Sequence, residues 1–98
     1  GIMPKLLTLY IKDARERIQN IEDAYAKQDY KTLEFEAHTL GSSAGAHSNL
    51  ALLHLAREVE QLCQEQNYKK VAGLTPSLLS LASKSFELLE ERIQQGFK

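Results

Sequence analysis

Residues 29–46, which read DYKTLEFEAHTLGSSAGA, carry the pattern that decides the fold. The apolar residues of this stretch step by three and four positions, as on one face of an α-helix. They are Tyr30, Leu33, Ala37, Leu40 and Ala44. Asp29 precedes them and is suited to be the N-cap, because its carboxylate can accept a hydrogen bond from the backbone of the first turn. We therefore predict a helix that runs to about Ala46.

The same helical spacing extends to both sides of this stretch. It predicts a first helix that opens with Pro4 and runs to about Lys27. A further helix is expected to follow the Ser48-Asn49 cap and to run to about Gln66, where Asn67 ends or caps it. No window of four or more residues alternates as a strand does.

A fourth apolar segment follows, but Gly73 and Thr75-Pro76 lie within it. Proline removes a helical hydrogen bond, so the pattern leaves open whether this segment is one kinked helix or two. Four amphipathic segments joined by short loops favour antiparallel neighbours. The predicted fold is all-α, an antiparallel up-down-up-down four-helix bundle.

Length and composition place limits on function. A chain of 98 residues with 43% apolar residues is expected to form a single domain, residues 1–98, with its own core. Its net charge of −1 gives no electrostatic excess for binding nucleic acid or an anionic membrane. Since the chain has one cysteine, no apolar run that could span a membrane and no secretion signal, we expect a cytoplasmic location.

Two catalytic patterns are excluded by their context. The stretch 41–45 matches the G-x-S-x-G motif of serine hydrolases, but that motif requires a strand before it and a large sheet around it. The chain's histidines, His38, His47 and His54, lack the Glu-x-x-His spacing of helical metal sites, so no metal site is predicted. Cys63 lies on the apolar stripe of the third helix and is expected to be a small buried residue.

His38 lies well over a quarter-turn from the apolar stripe of its helix, so its imidazole is expected to face water. Its neighbours on the helix surface are Lys31, Glu34, Phe35, Gly41, Ser42 and Gly45. Two glycines inside a helix cost about 1 kcal/mol each relative to alanine, which suggests that something approaches closely. That close approach is either a partner's active site reaching a ring nitrogen or a neighbouring helix beside an ordinary surface histidine.

The stretch 36–44, EAHTLGSSA, followed by Leu52, Ala56, Val59 and Glu60, resembles the signature of histidine phosphotransfer (HPt) domains. The family pattern is approximately A-H-x-L-K-G-[SA]-[SA], then L-x-x-x-[AC]-x-x-[LIV]-E, and it aligns here without a gap. The resemblance covers essentially the whole chain. It implies that His38 accepts a phosphoryl group on a ring nitrogen.

The departures from the family pattern concern the surroundings of the histidine. Gly41 stands where the family has a lysine, and Ser42 stands where it has the following glycine. Assistance by a neighbouring lysine therefore does not carry over. Lys31, seven residues before the histidine, is either a partial substitute or an ordinary solvated lysine. His47 replaces an apolar residue near the helix end, and we interpret it as a core or capping histidine.

The resemblance also implies a cellular role. HPt domains occur as free proteins and as terminal modules of hybrid sensor histidine kinases, and this chain is most similar to the C-terminal modules of TorS-like kinases, whose parent chains lie in the inner membrane. Such a module is a phosphoryl carrier and not an enzyme by itself. It accepts the group from a receiver-domain aspartate and passes it to another receiver.

The receiver domains would supply Mg²⁺, so no cofactor of the chain's own is expected. The docking surface is expected to consist of the neighbours of His38: Lys31, Glu34, Phe35, Gly41, Ser42 and Gly45. The alternative is a helical docking or dimerisation bundle in which the histidine is incidental.

Overall fold

In a computed structural model of the chain, which describes residues 2–47 and 49–95, every element is a helix. The helices are α1 (Ile2–Lys27), α2 (Tyr30–Ala46), α3 (Leu50–Gln64) and α4 (Tyr68–Gln95). The boundaries lie close to the predicted ones, and no strand occurs in the described ranges. Ser48, half of the predicted cap of α3, lies outside the described residues. The predicted all-α class is confirmed.

The residue pairs that meet across the helices show that neighbouring helices run antiparallel. Along α2 and α3 these pairs are Glu34 with Gln64, His38 with Glu60, and Ser42 with Arg57. Along α1 and α4, Tyr10 packs edge-on against Phe86, and Tyr25 bonds to Ala72. Each helix packs against its neighbours in the chain, and α4 also packs against α1. These contacts confirm a closed four-helix bundle, with extents of 46 × 20 × 17 Å.

The predicted stripes form the core. The largest fully buried apolar side chains are Ile21, Leu33, Leu40, Leu52, Val59, Val71, Leu78 and Phe86. Full burial of one leucine, isoleucine or phenylalanine side chain contributes about 1.5–3 kcal/mol. Leu88, which belongs to the apolar pattern of the fourth segment, is instead 63% exposed, because two residues beyond Phe86 a side chain points away from the core. No described helix is long and apolar enough to cross a bilayer.

The turn between α1 and α2 has the capping chemistry that the sequence predicts. Gln28 adopts a left-handed φ of 58°, which ends α1. Asp29 accepts hydrogen bonds from the backbone nitrogen of Thr32 at 3.2 Å and from its hydroxyl at 2.7 Å. These bonds stabilise the charged carboxylate and lower the pKa of Asp29. The cap therefore fixes where α2 begins.

The opposite end of α2 is closed by His47. Its backbone N–H caps the helix by bonding to carbonyl oxygens of the last turn. Its ring stacks on Tyr10 of α1, with ring centroids 4.2 Å apart. His47 is thus the capping histidine of the two predicted possibilities, and it is exposed rather than part of the core. Asn49 is the N-cap residue of α3 by position, although its side chain makes no capping hydrogen bond.

The fourth segment is one continuous helix, in spite of Pro76 inside it. Proline has no N–H, so the carbonyl of Ala72, four residues earlier, loses its helical donor. The hydroxyl of Tyr25 on α1 donates to this carbonyl oxygen at 3.0 Å. A neighbouring helix therefore satisfies the group that the proline leaves free, and the choice between one helix and two is resolved in favour of one.

Candidate functional site

His38 lies on the face of α2 that points away from the core. Its side chain is 55% exposed, whereas Ala37 and Leu40, on the adjoining stripe, are fully buried. His38 is therefore exposed, as its position relative to the apolar stripe of the helix predicts. The ring is accessible to a partner molecule while its helix is fixed by the core.

The carboxylate of Glu60 on α3 contacts the ring of His38. Its Oε2 lies 2.8 Å from Nδ1, and the Glu60 side chain is only 14% exposed. A carboxylate can only accept a hydrogen bond, so this contact is a hydrogen bond only when Nδ1 carries the proton. We assign this tautomer from the hydrogen-bond network. It leaves a lone pair on Nε2, for which no hydrogen bond is found within the described residues.

Arg57, on the same side of α3 as Glu60, completes a cluster of four polar side chains. Its Nη1 donates to Oε1 of Glu60 at 3.0 Å and to the carbonyl oxygen of His38 at 3.4 Å. Its Nη2 donates to Oγ of Ser42 at 3.1 Å. Nη1 also lies 2.8 Å from Nδ1 of the imidazole. Since both nitrogens carry hydrogen in the assigned tautomer, the ion pair with Glu60, and not a bond to the ring, holds the guanidinium there.

The two glycines of α2 face α3, which corrects the predicted docking surface. Gly41 is buried, so it offers no exposed surface to a partner. A Cβ at Gly41 would lie 3.4 Å from Nε of Arg57 and 3.5 Å from Cβ of Ala56. A Cβ at Gly45 would lie 3.4 Å from Cδ2 of Leu53. Both glycines therefore lie where α2 packs on α3, as in the second of the two predicted explanations, although a Cβ at either position would make only ordinary van der Waals contacts there.

The remaining predicted neighbours of His38 differ in exposure. Lys31 and Ser42 are exposed, and the ring of Phe35 is 62% exposed. Glu34 is half-buried and accepts a 3.5 Å hydrogen bond from Gln64 of α3. An apolar ring one turn before the histidine is therefore accessible on the same helix.

Glu36, two residues before the histidine, points the opposite way and is 6% exposed. Arg17 of α1 donates to its Oε2 at 3.0 Å, and Asn20 donates to its Oε1 at 3.2 Å. A buried carboxylate requires such partners, because desolvation of an unpaired charge is costly. The charge of Glu36 therefore ties α1 to α2 and is not available to the cluster around His38.

Other chemistry has little support in the described part of the chain. Within it, no three His, Cys, Asp or Glu side chains are grouped so that they could hold a metal ion. Cys63 is a free, buried thiol, as predicted. Burial, with the nearby charges of Glu34 and Glu60, raises its pKa to about 11, which disfavours a nucleophilic thiolate near neutral pH.

Comparison with known proteins adds a family assignment to this geometry. No curated protein and no solved structure matches the chain significantly. The family model described as "Hpt domain" matches residues 5–95, which include nearly all of the four helices. Domains of this kind are phosphoryl carriers rather than catalysts, and they interact with receiver domains in phosphorelays. Since the match covers most of the sequence, the chain belongs to the Hpt domain family.

Proposed function

We propose that this chain carries a phosphoryl group on Nε2 of His38, which it accepts from a receiver-domain aspartate and passes to another receiver. The observation that supports this proposal most strongly is the contact of the Glu60 carboxylate with the imidazole of His38. It favours the proton on Nδ1 and leaves Nε2 with a lone pair. On the resemblance alone, we further propose that the domain works in the cytoplasm as part of a hybrid sensor histidine kinase.

The proposed step is an in-line displacement at phosphorus. The Nε2 lone pair forms the N–P bond while the bond between phosphorus and the aspartyl oxygen breaks, and the electron pair stays on the aspartate. The ring, which then bears phosphorus on Nε2 and hydrogen on Nδ1, gains a positive charge beside the carboxylate of Glu60. The receiver would supply Mg²⁺. Transfer to the second receiver reverses the same step.

Protonation of the ring opposes this step. An imidazolium has hydrogen on both nitrogens and therefore no lone pair for phosphorus. Transfer to His38 therefore requires the neutral ring.

The proposed docking surface is the exposed part of α2 around the histidine. It comprises Lys31, Phe35 and Ser42, with the half-buried Glu34 at its edge. The exposed ring of Phe35 is suited to be an apolar contact for a receiver, since aromatic side chains at the centre of interfaces contribute disproportionately to binding. Gly45 faces Leu53 and is not proposed to contact the receiver directly.

The test is incubation of the chain with a phosphorylated receiver domain and Mg²⁺, next to the variants His38→Gln and His54→Gln. His54 is an exposed histidine on α3 and serves as a matched control. We expect an acid-labile, alkali-stable label on the wild type and on His54→Gln, and none on His38→Gln. Label on His38→Gln would contradict the assigned site. No label on the wild type, with several receivers and with phosphoramidate as a small donor, would favour the helical docking bundle instead.

A further inference from the structure

We propose that Arg57 of α3 stabilises the phosphoryl group on His38, as the cation that this chain lacks on α2. This inference rests on the proposed function of His38. Three observations carry it: the position of the guanidinium, the charges around the ring, and the distance of the other cation considered for this role.

The first observation is where the guanidinium lies. It passes over Gly41, three residues after the histidine, so that a Cβ at this position would contact both Nε and Cζ of Arg57. A long side chain at position 41 and the arginine would therefore compete for the same space. The absence of a side chain at Gly41 allows a cation from α3 to reach the ring, with Nη1 2.8 Å from Nδ1.

The second observation concerns charge. A phosphoryl group on Nε2 would bring a strongly negative group close to the carboxylate of Glu60, and like charges repel. Arg57 already pairs with Glu60 at 3.0 Å, which offsets that repulsion. A guanidinium has five N–H donors, and acceptors in the described part of the chain account for three of them: Glu60, Ser42 and the carbonyl of His38.

The remaining donors are available to an incoming group. The side chain of Arg57 is 39% exposed, so it can turn towards phosphoryl oxygens without leaving a buried site. Arginine also binds phosphate with bidentate geometry, which a lysine cannot do. The guanidinium therefore neutralises Glu60 where it lies, beside Nδ1, and donates to a phosphoryl group on Nε2 when its exposed end turns towards that nitrogen.

The third observation excludes Lys31 as the closer cation. It precedes the histidine by seven residues on α2, which corresponds to about 10 Å along the helix axis. Its side chain is exposed to water. Arg57 contacts the ring directly, so the structure favours it over the lysine considered from the sequence.

The experiment compares four variants with the wild type: Arg57→Ala, Arg57→Gln, the control Lys84→Ala and the double variant Gly41→Lys/Arg57→Ala. Single-turnover transfer from a phosphorylated receiver is measured at saturating receiver, together with the dissociation constant of the unphosphorylated receiver and the half-life of the phosphohistidine. Circular dichroism verifies that each variant is folded. Arg57→Gln removes the positive charge but keeps a polar side chain with an amide donor, so it covers the case in which the alanine variant does not fold.

We expect both single substitutions of Arg57 to slow transfer about 10- to 100-fold, the usual effect of losing a hydrogen bond to a charged group. They should also shorten the phosphohistidine half-life, while receiver affinity changes by less than about threefold, because the guanidinium acts on the transferred group. Lys84→Ala, which removes an exposed cation of α4 outside the docking surface, should transfer at the wild-type rate. The double variant should regain most of the lost rate, because a lysine at position 41 fills the space that the arginine vacates.

Wild-type transfer rates and half-lives in both single variants of Arg57 would overturn the inference and leave the proposed function intact. A folded double variant that is as slow as Arg57→Ala would overturn it as well, because a positive charge beside the ring would then not restore the transfer rate. Failure of His38 to label in the wild type would refute the proposed function and this inference with it. The two failures are therefore distinguished by the label on the wild type.

Discussion

Replacing Glu60 with glutamine tests how the ring of His38 is held. The substitution keeps the size of the side chain but removes its charge, and the amide can either accept from Nδ1–H or donate to a bare Nδ1. It therefore no longer selects the tautomer with a lone pair on Nε2. It also removes the ion pair with Arg57.

The expected magnitude follows from the geometry. The Nδ1–Oε2 distance is 2.8 Å and the carboxylate is 14% exposed, so the hydrogen bond is short and only weakly screened by water. A hydrogen bond to a charged group contributes about 1.5–3 kcal/mol. Because the ring gains only part of its positive charge in the transition state, we expect a loss near the lower end, which corresponds to a rate roughly tenfold lower.

The assay combines kinetics with a direct observation of the tautomer. Single-turnover phosphotransfer gives the rate, and long-range ¹⁵N–¹H correlation spectra of the imidazole show which nitrogen carries hydrogen. We expect the Nδ1–H form in the wild type, a mixture in Glu60→Gln, and wild-type behaviour in Glu58→Gln, an exposed carboxyl on the same helix. An Nε2–H ring in the wild type would refute the assignment, and an unchanged rate in Glu60→Gln would refute the role given to the carboxylate.

Three further predictions concern stability and reactivity. A Cβ at Gly73 meets nothing within 4 Å, so Gly73→Ala should raise the free energy of unfolding in urea by about 0.5–1 kcal/mol; a decrease would contradict the open helical site. Tyr25→Phe should lower the free energy of unfolding by about 1 kcal/mol. The loss should be smaller in a Pro76→Ala background, where the backbone N–H of residue 76 again donates a hydrogen bond to the carbonyl of Ala72. Equal costs in both backgrounds would show that the hydroxyl does not replace the missing donor. Because the pKa of Cys63 is raised to about 11, iodoacetamide at pH 8 should modify it far more slowly in the folded chain than in urea, and equal rates would contradict its burial.

The fold was largely predictable because its signals are local. The apolar stripe of α2 and the Asp29 cap are read from neighbouring residues, and both are present as expected. The continuity of α4 was not predictable in this way. It depends on the Tyr25 hydroxyl, 47 residues from Ala72 in the chain, and helical spacing contains no information on that contact.

The site was predictable only in part, for a related reason. The angular position of His38 on its own helix gives its exposure, but it does not tell which helix covers Gly41 or which side chains reach the ring. A usable signal existed: in two antiparallel helices joined by a short turn, residues equally far from the turn face each other. Applied to α2 and α3, this rule places His38 opposite residue 58, two residues before Glu60, and Ser42 opposite residue 54, three residues before Arg57. It therefore finds the stretch of α3 that lies beside the site but not the side chains that reach the ring.

The proline of α4 has a consequence for how uniquely the bundle is specified. Apolar stripes alone tolerate sliding of one helix past another, because one leucine can replace the next in the same hole. A slip of α1 by one turn, about 5.4 Å, would take the hydroxyl of Tyr25 away from the carbonyl of Ala72 and leave that oxygen without a protein donor. Pro76 and Tyr25 thereby fix the register of α1 against α4. The missing N–H of the proline makes one alignment of the two helices more stable than the alignments shifted by a turn.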